Sequence, residues 1–90
     1  MNPTRARKRI RDLARAGAWT MTEHAVQRMV ERDAEPDDVY GVLTAPTDCR
    51  AVRPGSWRLD GSDRLAEPLS LLAELGEGVL VVTLFRGDEP

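Results

Sequence analysis

The sequence is poor in the residues from which metal centres and disulfides are built. It contains one cysteine and one histidine among 90 residues. These cannot supply the nitrogen and sulfur ligands of a zinc site or close an internal disulfide. A single thiol also gives no reason for secretion, so we expect a cytoplasmic protein that needs no metal and no cofactor.

Long hydrophobic runs and aromatic residues are scarce as well. No stretch of about 18 consecutive apolar residues occurs, so no membrane contact is expected. The basic N-terminus is not followed by the apolar run of a signal peptide. Aromatic residues make up 4% of the chain, so the core must consist mainly of leucine, valine, alanine and methionine. The apolar content of 41% is enough for one small domain.

The small net charge of −2 hides an uneven distribution. Residues 1–32 carry eight basic and three acidic residues, a local charge of +5, whereas residues 33–90 carry five and twelve, a local charge of −7. A basic run extends from Arg5 to Arg11. This run either follows the phosphates of RNA, binds an acidic segment of a partner protein, or only keeps a helix soluble.

Apolar residues at helical spacing dominate the first half of the chain. A helix of about 12 residues is expected between an N-cap at Thr4 and a stop at Gly17. Residues 19–21 are then expected to form a short connection to a second helix. A third helix begins at Pro36 and ends before Pro46, because proline suits the first helical position and blocks continuation.

The second half has the pattern of a sheet. Strands are predicted over residues 48–53, 56–60, 68–75 and 79–85. The last strand is the most apolar, so we expect it to lie centrally, and the short connections favour antiparallel pairing. We therefore predict a single α+β domain, with two to three N-terminal helices packed on a four-stranded, mainly antiparallel twisted sheet. Its parts are a basic helix (1–18), a helical part (19–45), the sheet (46–86) and a tail (87–90).

The second helix, capped by Thr22, carries the unusual pattern. His24, Arg28 and Arg32 recur every four residues, so they lie about 40° apart along one side of the helix. We call them the histidine–arginine stripe. The apolar face expected beside this stripe consists of Ala25, Val26, Met29 and Val30. The stripe should therefore emerge at the edge of the core, where clefts form.

The histidine–arginine stripe has the chemistry that a phosphate group requires. His24 lies near the positive end of a helix and close to two arginines, and both features favour a neutral imidazole that can accept a proton. The first-turn N–H groups and the two guanidinium groups would bind an anion. RNA cleavage by an internal 2′-hydroxyl needs such a base beside such a clamp. The alternative is a surface histidine and two arginines that pair with nearby acidic residues.

The stripe and its downstream sequence resemble a bacterial family, domain of unknown function 4258. The similar segments are Thr22-Glu-His24-Ala25-x-x-Arg28-Met29-x-x-Arg32, Asp38-Val39 with Leu43, Trp57-Arg58-Leu59-x-Gly61, and the run from Leu80 through Thr83 to Phe85. Together they cover residues 19–86. One departure is the turn over residues 61–68, which is longer than the family's Asp-x-x-Gly turn and leaves the length and register of that hairpin open.

The resemblance implies a fold and an activity similar to those of the RelE, barnase and colicin-like small ribonucleases. Many of those proteins are toxins paired with an antitoxin. By position, the resemblance implies that His24, Arg28, Arg32 and Thr83 are catalytic. From the residues alone, the Thr83 hydroxyl either points into the site or satisfies a backbone group.

Three further residues are candidates for binding the substrate. Arg58 and Arg86 either contact phosphate or form cross-strand ion pairs. The acidic residues considered for such pairs are Asp48, Asp60 and Glu74. Trp57 either stacks on a base or belongs to the core.

We therefore expect a small, metal-independent ribonuclease-like toxin domain of a toxin–antitoxin or polymorphic toxin system. Its expected partners are RNA and a cognate antitoxin or another protein. One alternative is a non-catalytic module that binds RNA or protein through the same cleft, favoured by the low basic content. Another is an antitoxin or immunity-type regulator, favoured by the acidic second half.

Overall fold

The computed structural model describes residues 1–87, so the predicted tail beyond Gly87 lies outside the described residues. The chain order of the elements is α1 (Pro3–Arg15), β1 (Trp19–Met21), α2 (Glu23–Glu31), α3 (Pro36–Thr44), β2 (Asp48–Arg53), β3 (Ser56–Ser62), β4 (Pro68–Leu75) and β5 (Val79–Phe85). Helices precede an antiparallel run of strands, which confirms the predicted α+β class.

The sheet has five strands in the order β1-β5-β4-β3-β2. Strands β2 to β5 pair with their chain neighbours in antiparallel fashion, and β1 adds to β5 as a parallel edge strand. The predicted four-stranded sheet was therefore wrong by one strand. The missed strand, Trp19–Met21, is too short to show the alternation by which a strand is recognised.

One side of the sheet carries the core. Leu59, Leu71 and Leu84 form a row across three strands and are fully buried. Helices α1 and α3 contribute Ile10 and Val42 to the same cluster. Side chains alternate along a strand, so the residues directly before and after each of these leucines point to the opposite side of the sheet. We call that opposite side the open face.

Helix α1 begins two residues earlier than predicted. Asn2 is the N-cap, and its side-chain oxygen accepts a hydrogen bond of 2.9 Å from the N–H of Arg5. The prediction that Thr4 caps this helix was wrong, because Pro3 already occupies a first-turn position in which its missing N–H carries no penalty.

Helix α2 begins after Thr22, which is its N-cap as predicted. Ala25 and Met29 are buried, but Val26 is 42% exposed and Val30 is 69% exposed. The predicted four-residue apolar face was therefore half wrong. The reason is the position of α2 beside the edge of the sheet, where it packs mainly against β5 and β1 and buries only a narrow stripe.

The hairpin between β3 and β4 is extended at the end of β3, which was predicted to stop at residue 60. Strand β3 continues to Ser62, which pairs with Pro68, and residues 63–67 form the loop. Asp38 of α3 fixes this loop by accepting hydrogen bonds from the Arg64 backbone N–H at 2.9 Å and from its guanidinium at 2.5 Å. The pairing of Ser62 with Pro68 gives the register that the sequence left open, and the contact with α3 holds the loop.

Candidate functional site

The histidine–arginine stripe lies along one side of α2, which packs against β5. His24 is in the first turn and exposed, whereas Arg28 and Arg32 are half-buried. The two arginines are less exposed than Val26 and Val30 because they flank the buried side of the helix, which is formed by Ala25 and Met29. The stripe therefore runs from solvent at His24 to the sheet edge at Arg28 and Arg32.

The guanidinium of Arg28 contains a buried nitrogen that lacks a hydrogen bond. Its Nε is buried and has no hydrogen-bond partner among residues 1–87. An unsatisfied buried donor costs on the order of 1–3 kcal/mol, and more when the group is charged. Such atoms are rare in native proteins, and the acceptor is then an ordered water or a bound anion. A phosphate oxygen is an acceptor of the required charge.

Arg86 fastens the end of the stripe to the rest of the sheet. Its Nε donates to the backbone oxygen of Arg32 at 2.9 Å, and its Nη1 donates to the backbone oxygen of Pro68 at 3.0 Å. The same Nη1 lies 2.8 Å from the Asp63 carboxylate. Arg86, predicted to bind phosphate or to form a cross-strand pair, is therefore engaged with the β3–β4 loop and α2.

Thr83 lies on the open face of β5. Its backbone is opposite Leu72, which is opposite Arg58, which in turn is opposite Arg50. The Thr83 side chain is half-buried and makes no hydrogen bond within residues 1–87. Its hydroxyl therefore points away from the buried leucine row, whereas α2 packs on that row's side through Ala25 and Met29.

Arg58 belongs to a polar cluster on the open face. Its Nε donates to Asp60 Oδ1 at 2.9 Å, and its guanidinium lies 4.8 Å from the centre of the Phe85 ring. Asp60 also accepts a hydrogen bond of 2.7 Å from the Ser70 hydroxyl. The expected ion pair exists, but its partner is two residues along the same strand instead of across the sheet.

Partial burial opposes ionisation of Asp60, but its surroundings reverse the effect. Hydrogen bonds from Ser70 and Arg58, together with the charges of Arg58 and Arg50, outweigh that desolvation and lower the pKa of Asp60. Asp60 is therefore a carboxylate at neutral pH. It neutralises part of the positive charge that Arg58 would otherwise present to a phosphate.

Trp57 lies on the helix-facing side of β3 and is 4% exposed. It is part of the hydrophobic core and packs with neither Arg58 nor Thr83, which point to the other side. Of the two alternatives for Trp57, stacking on a base or belonging to the core, the structure therefore agrees with the second. No base can stack on its ring without displacing part of the core.

The sequence-predicted residues fall into two groups that share β5. The stripe and Arg86 lie where α2 meets β5, and Thr83 and Arg58 lie on the open face. Three residues that contact these groups were not predicted from the sequence: Asp63, Ser70 and Phe85. The only available signal was strand register, which places Ser70 opposite both Asp60 and Phe85.

The two largest cavities described lie away from the stripe. One, of about 530 Å³, is bounded by α1, β2 and the β2–β3 turn. The other, of about 720 Å³, is bounded by the α1–β1 connection and the β4–β5 turn. Any substrate of the stripe would therefore lie across a surface beside β5 and not in a deep pocket.

Within residues 1–87 no cluster of three or more His, Cys, Asp or Glu side chains is placed to hold a metal ion. In the same part of the chain, no helix has the length and apolar character needed to cross a membrane. No protein-family model, curated protein or solved structure matches this chain.

Proposed function

We propose that this protein is a small ribonuclease-type toxin domain that binds RNA along α2 and β5 and cleaves it without a metal ion. The observation that carries the proposal is the half-buried guanidinium of Arg28, whose Nε has no partner in the described chain, one turn after the exposed His24. The two groups offer an anion clamp and a proton acceptor on one helix.

The proposed step is attack of an RNA 2′-oxygen on the adjacent phosphorus. His24 takes the 2′-hydroxyl proton, and the bond from phosphorus to the 5′-oxygen breaks. The 5′-oxygen leaves with a proton from solvent, and the other product carries a 2′,3′-cyclic phosphate. Arg28 and Arg32 stabilise the additional negative charge on the phosphate oxygens during the step.

The helices-first α+β fold supports the likeness to the RelE-like ribonucleases and to the domain of unknown function 4258 family. A cytoplasmic location and a cognate antitoxin as partner belong to the same proposal. If the protein is a toxin, its expression arrests growth, and expression of the His24→Ala variant does not.

A second candidate is a module that binds RNA or a partner protein through the same surface without cleavage. The observation that favours it is the engagement of Arg58 and Arg86 with Asp60 and Asp63. Arg32 also lies 3.8 Å from the Glu31 carboxylate. Three of the four arginines expected to bind phosphate are thus paired with carboxylates, which leaves fewer cations for transition-state stabilisation.

Cleavage of a short labelled RNA under single-turnover conditions separates the two candidates. We expect His24→Ala to lower the cleavage rate by roughly 10²–10⁴-fold, because a general base contributes that much. Binding of a non-cleavable 2′-deoxy analogue should be nearly unchanged in this variant. Arg28→Ala should weaken both binding and cleavage.

Gln27→Ala is the matched control, since Gln27 is exposed on α2 but lies outside the stripe. It should retain the wild-type rate. If the wild-type protein binds RNA but leaves it intact, the non-catalytic module is correct. If it neither binds nor cleaves RNA, the ribonuclease and the RNA-binding module are both wrong, and only a protein-binding module agrees with the result.

A further inference from the structure

A groove with mainly apolar walls lies beside the edge strand β2, on the far side of the chain from the stripe. Its volume is about 530 Å³, and its apolar lining includes Met1, Val52, Trp57 and Leu75. Val52 is 50% exposed. We call this feature the β2 groove.

The β2 groove is bordered by a basic part of helix α1. Arg9 lines it directly, and Arg5 lies one helical turn earlier on the same side of α1. Within residues 1–87 no carboxylate pairs with Arg5, Lys8, Arg9 or Arg15. The acidic residues of the second half therefore leave these charges uncompensated, although the net charge of the whole chain is −2.

The groove also adjoins unused backbone. Strand β2 pairs only with β3 in the described chain, so its outer edge presents unpaired N–H and C=O groups. An exposed strand edge can accept another extended segment, with side-chain pockets setting the choice of partner.

We propose that the β2 groove binds an extended acidic segment of a partner protein. An apolar side chain of that segment enters the space between Val52 and Leu75, and flanking carboxylates face Arg9 and Arg5 of α1. This surface is separate from the histidine–arginine stripe, and the inference does not rest on the proposed RNA cleavage.

The lining favours a peptide over RNA. Phosphates would match the cations, but bases need exposed aromatic rings or polar edges to contact. The ring of Trp57 is almost wholly covered, and the rest of the apolar lining is aliphatic. Aliphatic walls beside unpaired cations complement a segment that alternates apolar and acidic residues.

The test is selection of binders from a display library of short random peptides, with the full chain as the target. We expect the selected peptides to combine a large apolar residue with neighbouring Asp or Glu. Val52→Asp should weaken binding of a selected peptide at least tenfold, and Arg9→Ala should weaken it severalfold and reduce its salt dependence.

Val30→Asp is the matched control, because it places the same charge at an exposed valine of α2. It should change the affinity less than twofold, and His24→Ala should have no effect. Circular dichroism establishes that each variant is folded. The inference is overturned if no acidic peptides are selected, if Val52→Asp and Val30→Asp act alike, or if a short RNA displaces the peptides from this surface.

Discussion

Asp63 stands in the loop between β3 and β4, with a side chain that is 5% exposed. One carboxylate oxygen accepts hydrogen bonds from the N–H groups of Leu65 and Glu67, and the other faces Arg86. Desolvation would raise the pKa of Asp63, but these hydrogen bonds and the Arg86 charge lower it below its ordinary value. The loop and the end of α2 therefore depend on one ionised carboxylate.

Replacing Asp63 by asparagine should lower the free energy of unfolding at pH 7 by about 1–3 kcal/mol, since it removes the ion pair with Arg86. The folded-state pKa lies below the unfolded one, so the stabilisation is present above the unfolded value of 3.8 and is lost as the pH falls through the folded value. Urea unfolding of both proteins at pH 7 and pH 2.5, a pH chosen at about 1.3 units below 3.8, should show the difference shrinking in acid.

Asp12→Asn provides the comparison, because its ion pair with Arg11 is exposed and 3.4 Å long. Surface pairs of this kind contribute about 0–1 kcal/mol. An equal loss of stability in the two variants would show that the Asp63–Arg86 contact has no special role.

Single elements differ in how well the sequence predicts them. Strands β2, β4 and β5 have the predicted limits, because apolar alternation or runs end at turn residues such as Pro54 and Gly76. Strand β3 was predicted two residues short because Gly61 and Ser62 have little strand propensity. The histidine–arginine stripe was visible because helical spacing is local. The contacts of Asp60 were not, since they depend on sheet register.

The Thr22 hydroxyl makes two hydrogen bonds that stabilise helix α2. It accepts a hydrogen bond of 3.0 Å from the Ala25 N–H, and it donates one of 2.8 Å to the backbone oxygen of Val82. Thr22→Ala should therefore lower the free energy of unfolding by about 1–3 kcal/mol, which combines a lost cap with a lost link to β5. Thr22→Ser retains the hydroxyl and should stay close to wild type in urea unfolding. Similar losses in both variants would contradict this assignment.

At the scale of the whole molecule, the first and last thirds of the chain are joined by a close approach. The backbone oxygen of Ala18 accepts a hydrogen bond of 3.0 Å from the N–H of Val79, where β1 meets β5. A Cβ added to Gly78 would lie 2.9 Å from that oxygen. Glycine is thus required here by the contact between backbones and not by its own conformation.

Gly78→Ala should consequently destabilise the protein by about 1–3 kcal/mol, because backbone atoms must shift to relieve the overlap. For a chain of this size, each kcal/mol lowers the melting temperature by about 4–8 °C. Gly76→Ala changes the same turn at a position with nothing within 4 Å and should be nearly neutral. Calorimetry measures the melting temperatures of both variants. Equal values for Gly78→Ala and Gly76→Ala would contradict the close approach of Gly78 to Ala18.

The parallel pairing of β1 with β5 also sets an order of events during synthesis. A ribosome adds about 5–20 residues per second and releases the N-terminal part first. Trp19–Met21 therefore leaves the ribosome well before Val79–Val81, with which it pairs. Until that last strand arrives, α2 has no β5 to pack against, so a nascent chain carries His24 and Arg28 without the surface that aligns them. The activity proposed for α2 is thereby withheld until translation of the described strands is finished.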